Sequence, residues 1–175
     1  MRLETERLVL RRWEPADLCK LTTILSNPEV ASRLGSPSQE DVERTIDRYE
    51  RNWDALGFGR FAVEDRQTAE FVGRVGLMRQ AEWTASEDNV EIGWAIARDR
   101  WGEGLATEAA RAVLADGFDR VGLPRVIGFS SPDNIASVRV MERLGMTLQG
   151  TAQWAGKEHV WYAIRAEEWV GANRG

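Results

Sequence analysis

The sequence predicts a single mixed α/β domain built on one sheet, and three observations lead there. The chain has 175 residues, the size of one ordinary domain, and no repeat, low-complexity linker or shift in composition divides residues 1–175. Segments of strand periodicity alternate with segments of helical periodicity in the order β-α-α-β-β-β-α-β-α-β-β. Within that order Val90 to Ser130 reads strand, loop, helix, strand, a crossover that normally sets two strands parallel.

Leu8-Val9-Leu10-Arg11-Arg12 is the opening strand, and Pro15 suits the first turn of a short helix after it. Leu18, Leu21 and Leu25 give that helix an apolar stripe before Asn27-Pro28 stops it. Ser38 followed by Asp41 resembles a capping box with Asp in the usual place of Glu or Gln. Val42, Ile46, Tyr49 and Trp53 continue at helical spacing until Gly57. Phe58 to Glu64 and Phe71 to Arg79 read as a hairpin around Asp65-Arg66-Gln67. Val90 to Ile96 is a strand with unlike faces: Ile92, Trp94 and Ile96 on one, Glu91, Gly93 and Ala95 on the other. A polar, glycine-rich loop from Ala97 to Gly104 leads into a helix from about Leu105, with Ala106, Ala110, Val113, Leu114, Gly117 and Phe118 on its apolar face. Gly122-Leu123-Pro124 breaks that helix before the strand Arg125 to Ser130. Asp133 or Asn134 can cap a last helix bearing Ile135, Val138, Met141 and Leu144, with Gly145 at its C′ position. Strand-like segments at Met146 to Trp154 and Glu158 to Ile164 close the chain.

Hydrophobic residues make up 43% and charged residues 29%, enough for a core that needs no cross-links. Cys19 is the only cysteine and His159 the only histidine. That excludes an internal disulfide and any multi-cysteine or multi-histidine metal site, so no metal is expected, and Cys19 reads as a packing residue. Against 28 acidic residues stand 23 basic ones, a net charge of −5, which is no footprint for nucleic acid. The longest charge-free run, Leu144 to Gly156, is too short and too polar to span a bilayer. Met1 to Arg7 lacks the apolar stretch of a secretory signal. The expectation is a cytoplasmic protein with neither nucleic acid nor membrane as partner.

A strand that runs through Gly102-Glu103-Gly104 directly into a helix exposes unpaired N–H groups at the positive end of the helix dipole. Such a terminus binds phosphate, and glycine lets the ligand approach the backbone; a merely structural tight turn is the alternative. A dinucleotide fingerprint needs Gly or Ala three residues after Gly104, where Thr107 stands, and no Gly-Lys-Ser/Thr exists for a P-loop. Both of those nucleotide readings fail.

Glu91-Ile92-Gly93-Trp94, the run Trp101 to Ala109 (WGEGLATEA) and the run Asn134 to Met146 (NIASVRVMERLGM) together resemble the GNAT acyltransferase superfamily. More narrowly they resemble its branch of ribosomal-protein N-terminal acetyltransferases, the RimJ/RimL type. Glu4 to Arg11 and Trp161-Tyr162-Ala163-Ile164 with Trp169 match that branch too, so the resemblance spans nearly the whole chain. It implies a mixed, mostly antiparallel sheet whose two central parallel strands splay, with acetyl-CoA as co-substrate in the opening. It puts the pyrophosphate on backbone N–H groups around Trp101, Gly102, Glu103, Gly104, Leu105, Ala106 and Thr107, and the pantetheine amides on the backbone of Ile96 and Ala97. Asn134 would bond the pantetheine arm with Ser137 beside it; a helix cap and a first-turn residue is their plainer reading.

The resemblance also implies direct attack of a primary amine on the thioester, with the CoA thiolate leaving. Such a site needs a base, an oxyanion donor and an acid near the sulfur. Glu91 is the base candidate, directly or through one water, against the alternative of a solvated or ion-paired strand residue; Glu158 and His159 are second choices. A backbone N–H of Ile96 or Ala97 would meet the oxyanion. The sequence departs from the family pattern twice. Asp99 stands where Gln or Arg is commonest, with Arg98 and Arg100 flanking it. Met141 stands where many relatives have the tyrosine that protonates the thiolate, which leaves Ser137, or a water it holds, as the acid; Tyr162 reads equally well as core. The acceptor, a peptide N-terminus or a small-molecule amine, would lie among residues 30–51, 80–89 and 150–157, with Trp53, Phe58, Trp83 and Trp154 as an aromatic wall. Met141 keeps a rival open, a non-catalytic acyl-CoA-binding or regulatory module, while Glu91, Asn134 and Ser137 speak for an enzyme. A homodimer fits the family's habit.

Overall fold

The structure, a computed structural model, describes residues 1–173. Its elements in chain order are β1 (Arg2–Glu4), β2 (Leu8–Arg11), α1 (Asp17–Ser26), α2 (Pro28–Leu34), α3 (Gln39–Leu56), β3 (Arg60–Asp65), β4 (Phe71–Arg79), β5 (Val90–Ile96), α4 (Leu105–Asp119), β6 (Arg125–Ser130), α5 (Ile135–Arg143), β7 (Thr147–Trp154), β8 (Lys157–Arg165) and α6 (Ala166–Asn173). The strands form one sheet in the order β1-β2-β3-β4-β5-β6-β8-β7. Every neighbouring pair is antiparallel except β5 and β6, the two strands joined by the crossover through α4. This is the mixed, mostly antiparallel sheet with one inner parallel pair that the motifs implied.

The two-faced reading of β5 holds. Ile92 and Ile96 join Leu105, Ala109, Val113 and Leu114 of α4 in the main core, and Trp94 packs against it. Ala95 faces the other way and packs with Leu21, Ile24 and Leu25 of α1. Each fully buried aliphatic side chain of this kind contributes roughly 1.5–3 kcal/mol. The ladder register carries these faces across the sheet: Arg74 stands opposite Ala95, Gly76 opposite both Gly93 and Arg60, and Ile127 opposite Glu91. On the α1 side, α1 and α3 therefore cover β3 and β4, while a separate cluster of Trp83, Ile127 and Trp161 covers β6 and β8. The seam between these two layers runs over β5.

Local signals account for most element ends. Ser38 and Asp41 form the reciprocal capping box of α3, and Gly57 closes that helix at φ 73°. Asn134 caps α5, and Gly145 follows it at φ 79°. Three elements go beyond the sequence reading. Asn27-Pro28 does stop α1, but Asn27 also accepts from the Glu29 N–H and Pro28 occupies the first helical position, so the same dipeptide starts α2. The short strand β1 forms only because β2 pairs with it. Helix α6 is held by tertiary contacts: Ala166 N–H donates to Pro124 O at 3.1 Å, and the Trp169 ring centroid lies 5.9 Å from that of Phe118. Cys19, read as packing, is exposed instead, because the apolar stripe of α1 falls on Leu21, Ile24 and Leu25. No helix among the described residues is long and apolar enough to cross a membrane.

The start of α1 is held by charge. Ala16 provides no side-chain cap. Asp17, with no exposed surface, accepts from the Glu14 N–H at 2.9 Å and from Arg11 at 2.7 and 3.0 Å. Arg11 also donates to Glu64 at 2.5 Å, tying β2, β3 and α1 together. Burial alone would raise the Asp17 carboxyl; Arg11 and the Glu14 N–H outweigh it, and the net shift is downward. A group so depressed stabilises the fold above its unfolded pKa and loses that contribution as pH falls through the folded value. Asp17→Ala is expected to cost about 3 kcal/mol in urea unfolding at neutral pH, since it strands a half-paired guanidinium. The gap between wild type and variant should shrink as the pH drops below about 4.

Candidate active site

β5 and β6 share a single rung, Glu91 opposite Ile127, and beyond it they part. In the neighbouring β4–β5 ladder the rungs Gln80–Asn89 and Val72–Ala97 are hydrogen-bonded. By alternation, Glu91, Gly93 and Ala95 turn their backbone groups toward β4, whereas Ile92, Trp94 and Ile96 turn theirs toward β6. Trp94 and Ile96 thus present backbone to the opening. Ile96 O already accepts from the Trp101 indole at 2.8 Å, and the Ala97 N–H is committed to Val72 O at 2.9 Å. Of the expected pair only Ile96 faces the gap, and Trp94 is its natural companion.

The gap is a cavity of about 340 Å³ walled by β5, the loop before α4, the first turn of α4, one face of α5 as far as Arg143, and one side of α2. It meets β5 on both faces, through Trp94 and Ile96 on the α4 side and Ala95 on the α1 side. Trp101, Gly102, Gly104, Leu105, Ala106, Thr107, Asn134 and Ser137 all line it, as the sequence reading expects of cofactor contacts; Ala97, Glu103 and Glu91 do not.

At the mouth of α4, Gly102 and Gly104 have φ of 84° and 80°, a region L side chains disfavour. No side chain caps the helix, so the N–H groups of its first turn have no partner within the helix. Thr107 Oγ1 is buried there without a partner. Orphan N–H groups, the dipole and a stranded hydroxyl together suit a phosphate. Glu103 offers backbone only: its carboxylate holds Arg100 at 2.9 Å and its carbonyl accepts from Arg7 at 2.9 Å. The flanking arginines are already neutralised, Arg98 by Glu29 and Arg100 by Asp65, Glu70 and Glu103. Arg139 and Arg143 of α5 line the wall instead.

Asn134 satisfies both of its readings. Its Oδ1 accepts from the Ser137 N–H at 3.3 Å as a cap and from Arg33 of α2 at 2.7 Å, while its amide nitrogen donates to no group among the described residues. Arg33 also lies 5.4 Å from the Trp101 ring centroid, so α2 reaches across the cavity to α5. From sequence, Arg33 falls only within the expected acceptor range, residues 30–51, because the first helix is read to end at Asn27-Pro28 and no helix is assigned to the residues that follow.

Glu91 sits on the α1 side of β5 and is buried. Its Oε2 accepts from Arg60 Nη2 at 2.7 Å and from Gln80 Nε2 at 2.5 Å. Gly93 makes room for this pair, since a Cβ there would stand 2.6 Å from the Arg60 guanidinium. Arg60 and Arg74 both flank the buried ring of Tyr49. Burial and the charges of Arg60 and Arg48, against the pull of Tyr49 and Glu91, press the Arg74 guanidinium down to about 10. Burial would raise the Tyr49 phenol, but Arg74, Arg60 and Arg48 outweigh it and the net direction is downward. Of this cluster the sequence reading picked out Glu91 alone. The signal for its partners was present: Arg60 and Arg74 interrupt strand runs that are otherwise apolar on both sides.

The remaining candidates fall outside this arrangement. Glu158 is exposed, and His159 stands edge-on to Phe129 at 5.7 Å with Nδ1 3.1 Å from Lys157 O. Met141 is 1% exposed and packs against Gly128 in the core, away from the cavity. Tyr162 is buried core, its phenol raised by burial. None of the four aromatics expected to form an acceptor wall lines the cavity. Trp83 stacks on Phe129 at 4.7 Å and meets Trp154 at 5.9 Å, but Trp53 and Phe58 belong to the main core, because the Gly57 turn folds them back under β3. Among the described residues no group of three or more His, Cys, Asp or Glu side chains is placed to hold a metal.

Residues 7–147 match the acetyltransferase (GNAT) domain family. The chain is 31% identical over 153 residues to YoaA of Bacillus subtilis, an N-acetyltransferase described as uncharacterised, covering 85% of this chain and 84% of that protein. The crystal structure of an acetyltransferase from Agrobacterium tumefaciens superposes with a TM-score of 0.84 at 27% identity, covering 94% of each chain. The aminoglycoside acetyltransferase AAC(6′)-Ib, solved in complex with coenzyme A, shares the fold at a TM-score of 0.79 and 20% identity, over 96% of this chain and 99% of that one.

The stranded hydroxyl gives a test that needs no ligand. Thr107→Val keeps the side-chain shape and removes a buried group without a hydrogen bond, so the ligand-free protein should gain about 1 kcal/mol in urea unfolding. A loss of stability would mean that the hydroxyl is in fact satisfied.

Proposed function

The chain belongs to the GNAT acetyltransferase family, and from that membership we propose that it transfers an acetyl group from acetyl-CoA to a primary amine by direct attack on the thioester. The observation that carries this reading is the cavity where β5 and β6 part, opening on the uncapped N-terminus of α4. The residues present fit the co-substrate. The first-turn N–H groups and Thr107 Oγ1 would take the pyrophosphate, the backbone edges of Trp94 and Ile96 would take the pantetheine amides as an added strand, and the Asn134 amide would hold the arm. When bound, acetyl-CoA supplies a thioester carbonyl and a thiolate leaving group.

The chain's own groups then divide the work. Glu91, its Oε2 held by Arg60 and Gln80, is the base for the ammonium, acting on the amine directly or through a water. A backbone N–H at the parted edge of β5 faces the developing oxyanion. Ser137, which lines the cavity, is the remaining hydroxyl for the departing thiolate, since Met141 is packed away. The acceptor comes to the α1 side of β5, and both a peptide N-terminus and a small-molecule amine suit it. The resemblance to the RimJ/RimL branch speaks for the first and the shared fold of an aminoglycoside acetyltransferase for the second. We place the enzyme in the cytoplasm, where a lone exposed thiol such as Cys19 is kept reduced.

Acetyl-CoA at 100 times its dissociation constant should stabilise the protein by about 2.7 kcal/mol, a rise of roughly 5–10 °C in melting temperature for a domain of this size. NADH should produce none. Glu91→Gln should lower kcat on the best amine by about 100-fold or more while acetyl-CoA binding is kept, because Glu91 does not line the cavity. Tight acetyl-CoA binding with no transfer to any amine would instead favour the non-catalytic module.

A further inference from the structure

Around Tyr49, on the α1 side of the sheet, two guanidinium groups are buried with one carboxylate, the other buried carboxylate of this layer, Asp17, being taken by Arg11. Arg60 has its partner, Glu91 at 2.7 Å. Arg74 is 8% exposed and makes no hydrogen bond or ion pair among the described residues; its Nε and Nη1 are closed off from solvent without a partner. Both groups flank the one ring of Tyr49, at 5.4 and 5.7 Å from its centroid. A contact over a ring face does not replace the directed hydrogen bonds a guanidinium gives up on burial. The two cations also repel each other, and Glu91 is too few charges for both.

Position says what completes the set. Arg74 is the cross-strand neighbour of Ala95, and the side chains of such neighbours leave their strands about 5 Å apart on one face. Ala95 is the residue through which the cavity reaches the α1 side. Arg74 therefore stands beside the end of the cavity where the acceptor enters, on the same face as Glu91. A planar fork of donors at that place matches a carboxylate in two parallel hydrogen bonds. We infer that Arg74 binds a carboxylate of the acceptor, so that the amine acetylated by this protein carries its own carboxylate. The inference rests on the acetyltransferase reading above and names the substrate class of its acceptor side. With that ligand in place, two guanidinium groups and two carboxylates surround Tyr49.

The test compares amines that differ only in the charge at issue: glycine, β-alanine, 4-aminobutyrate, L-phenylalanine and a C-terminally free dipeptide, each against its carboxamide. With acetyl-CoA, wild type should acetylate at least one acid with kcat/KM about 100-fold above its amide. In Arg74→Met that ratio should fall to near one while KM for acetyl-CoA is unchanged. Independently of turnover, thermal melts with CoA present should shift with the acid and not with the amide, and the Arg74 Nε–H resonance should move with the acid alone. Should Arg74→Met fail to fold, the wild-type ratio and the resonance decide, with Arg74→Lys keeping part of the preference. Absence of acetyl-CoA binding overturns the acetyltransferase reading, whereas the acid-against-amide melts and resonance still judge Arg74. Equal response to acids and amides, or a preference that survives in folded Arg74→Met, overturns the inference and assigns the buried guanidinium to internal water.

Discussion

The whole site depends on two parallel strands that share one rung and then separate. A backbone group in a sheet interior must find a partner, so strands do not part without something to occupy the gap. Here β5 and β6 meet at Glu91 and Ile127 and diverge, and the edge of β5 is left to Trp94 and Ile96. The protein supplies one internal partner, the Trp101 indole on Ile96 O. The rest of the edge faces a cavity and the uncapped start of α4. Parallel strands need a crossover, and the crossover brings the α4 N-terminus to the place where the strands open. A strand edge and a positive helix end are thus set side by side, the two features that an extended amide chain ending in phosphates requires.

Helix α2 closes this arrangement from the other layer. It is short and holds few buried residues, Val30 alone among them, yet its Arg33 reaches Asn134 and covers the Trp101 ring. The contact joins the helix that follows β6 to the layer that covers β4, across the cavity. Asn134 consequently serves as helix cap, as receiver of Arg33 and as cavity wall. This multiple use spends its Oδ1 internally, on Arg33 and on the Ser137 N–H.

Burying the charges around Glu91 is costly in itself. Replacing a buried ion pair with apolar groups of similar volume is often neutral or stabilising, and the surrounding strands are rich in such groups. Arg60, Glu91, Gln80 and Arg74 nevertheless converge on the α1 side of the sheet, where Gly93 leaves room for the Arg60 guanidinium. The cluster leaves a carboxylate held at one oxygen beside a cation with unused donors.

The sequence by itself determined most of the elements and the glycine turn that opens α4. Period-two faces on Val90 to Ile96, the capping residues Ser38, Asp41 and Asn134, the glycines at 57, 102, 104 and 145 and the crossover around α4 are local or near-local signals. A residue's own backbone preference or its immediate neighbours express them, and each was legible. What only the tertiary structure decided is whatever depends on partners distant in the chain. Whether Glu91 is solvated or paired was settled by Arg60, thirty-one residues before it; whether Trp53 and Phe58 face the acceptor or the core was settled by the turn at Gly57. Helix α2, too short to show a period, and helix α6, held by Pro124 and Phe118, escaped for the same reason. Arg33 and Arg74 gain their meaning from a cavity that exists only once two layers close over one sheet. Local geometry is written in spacing, but pairing and burial are properties of the closed fold, and they chose which of the legible residues face the site.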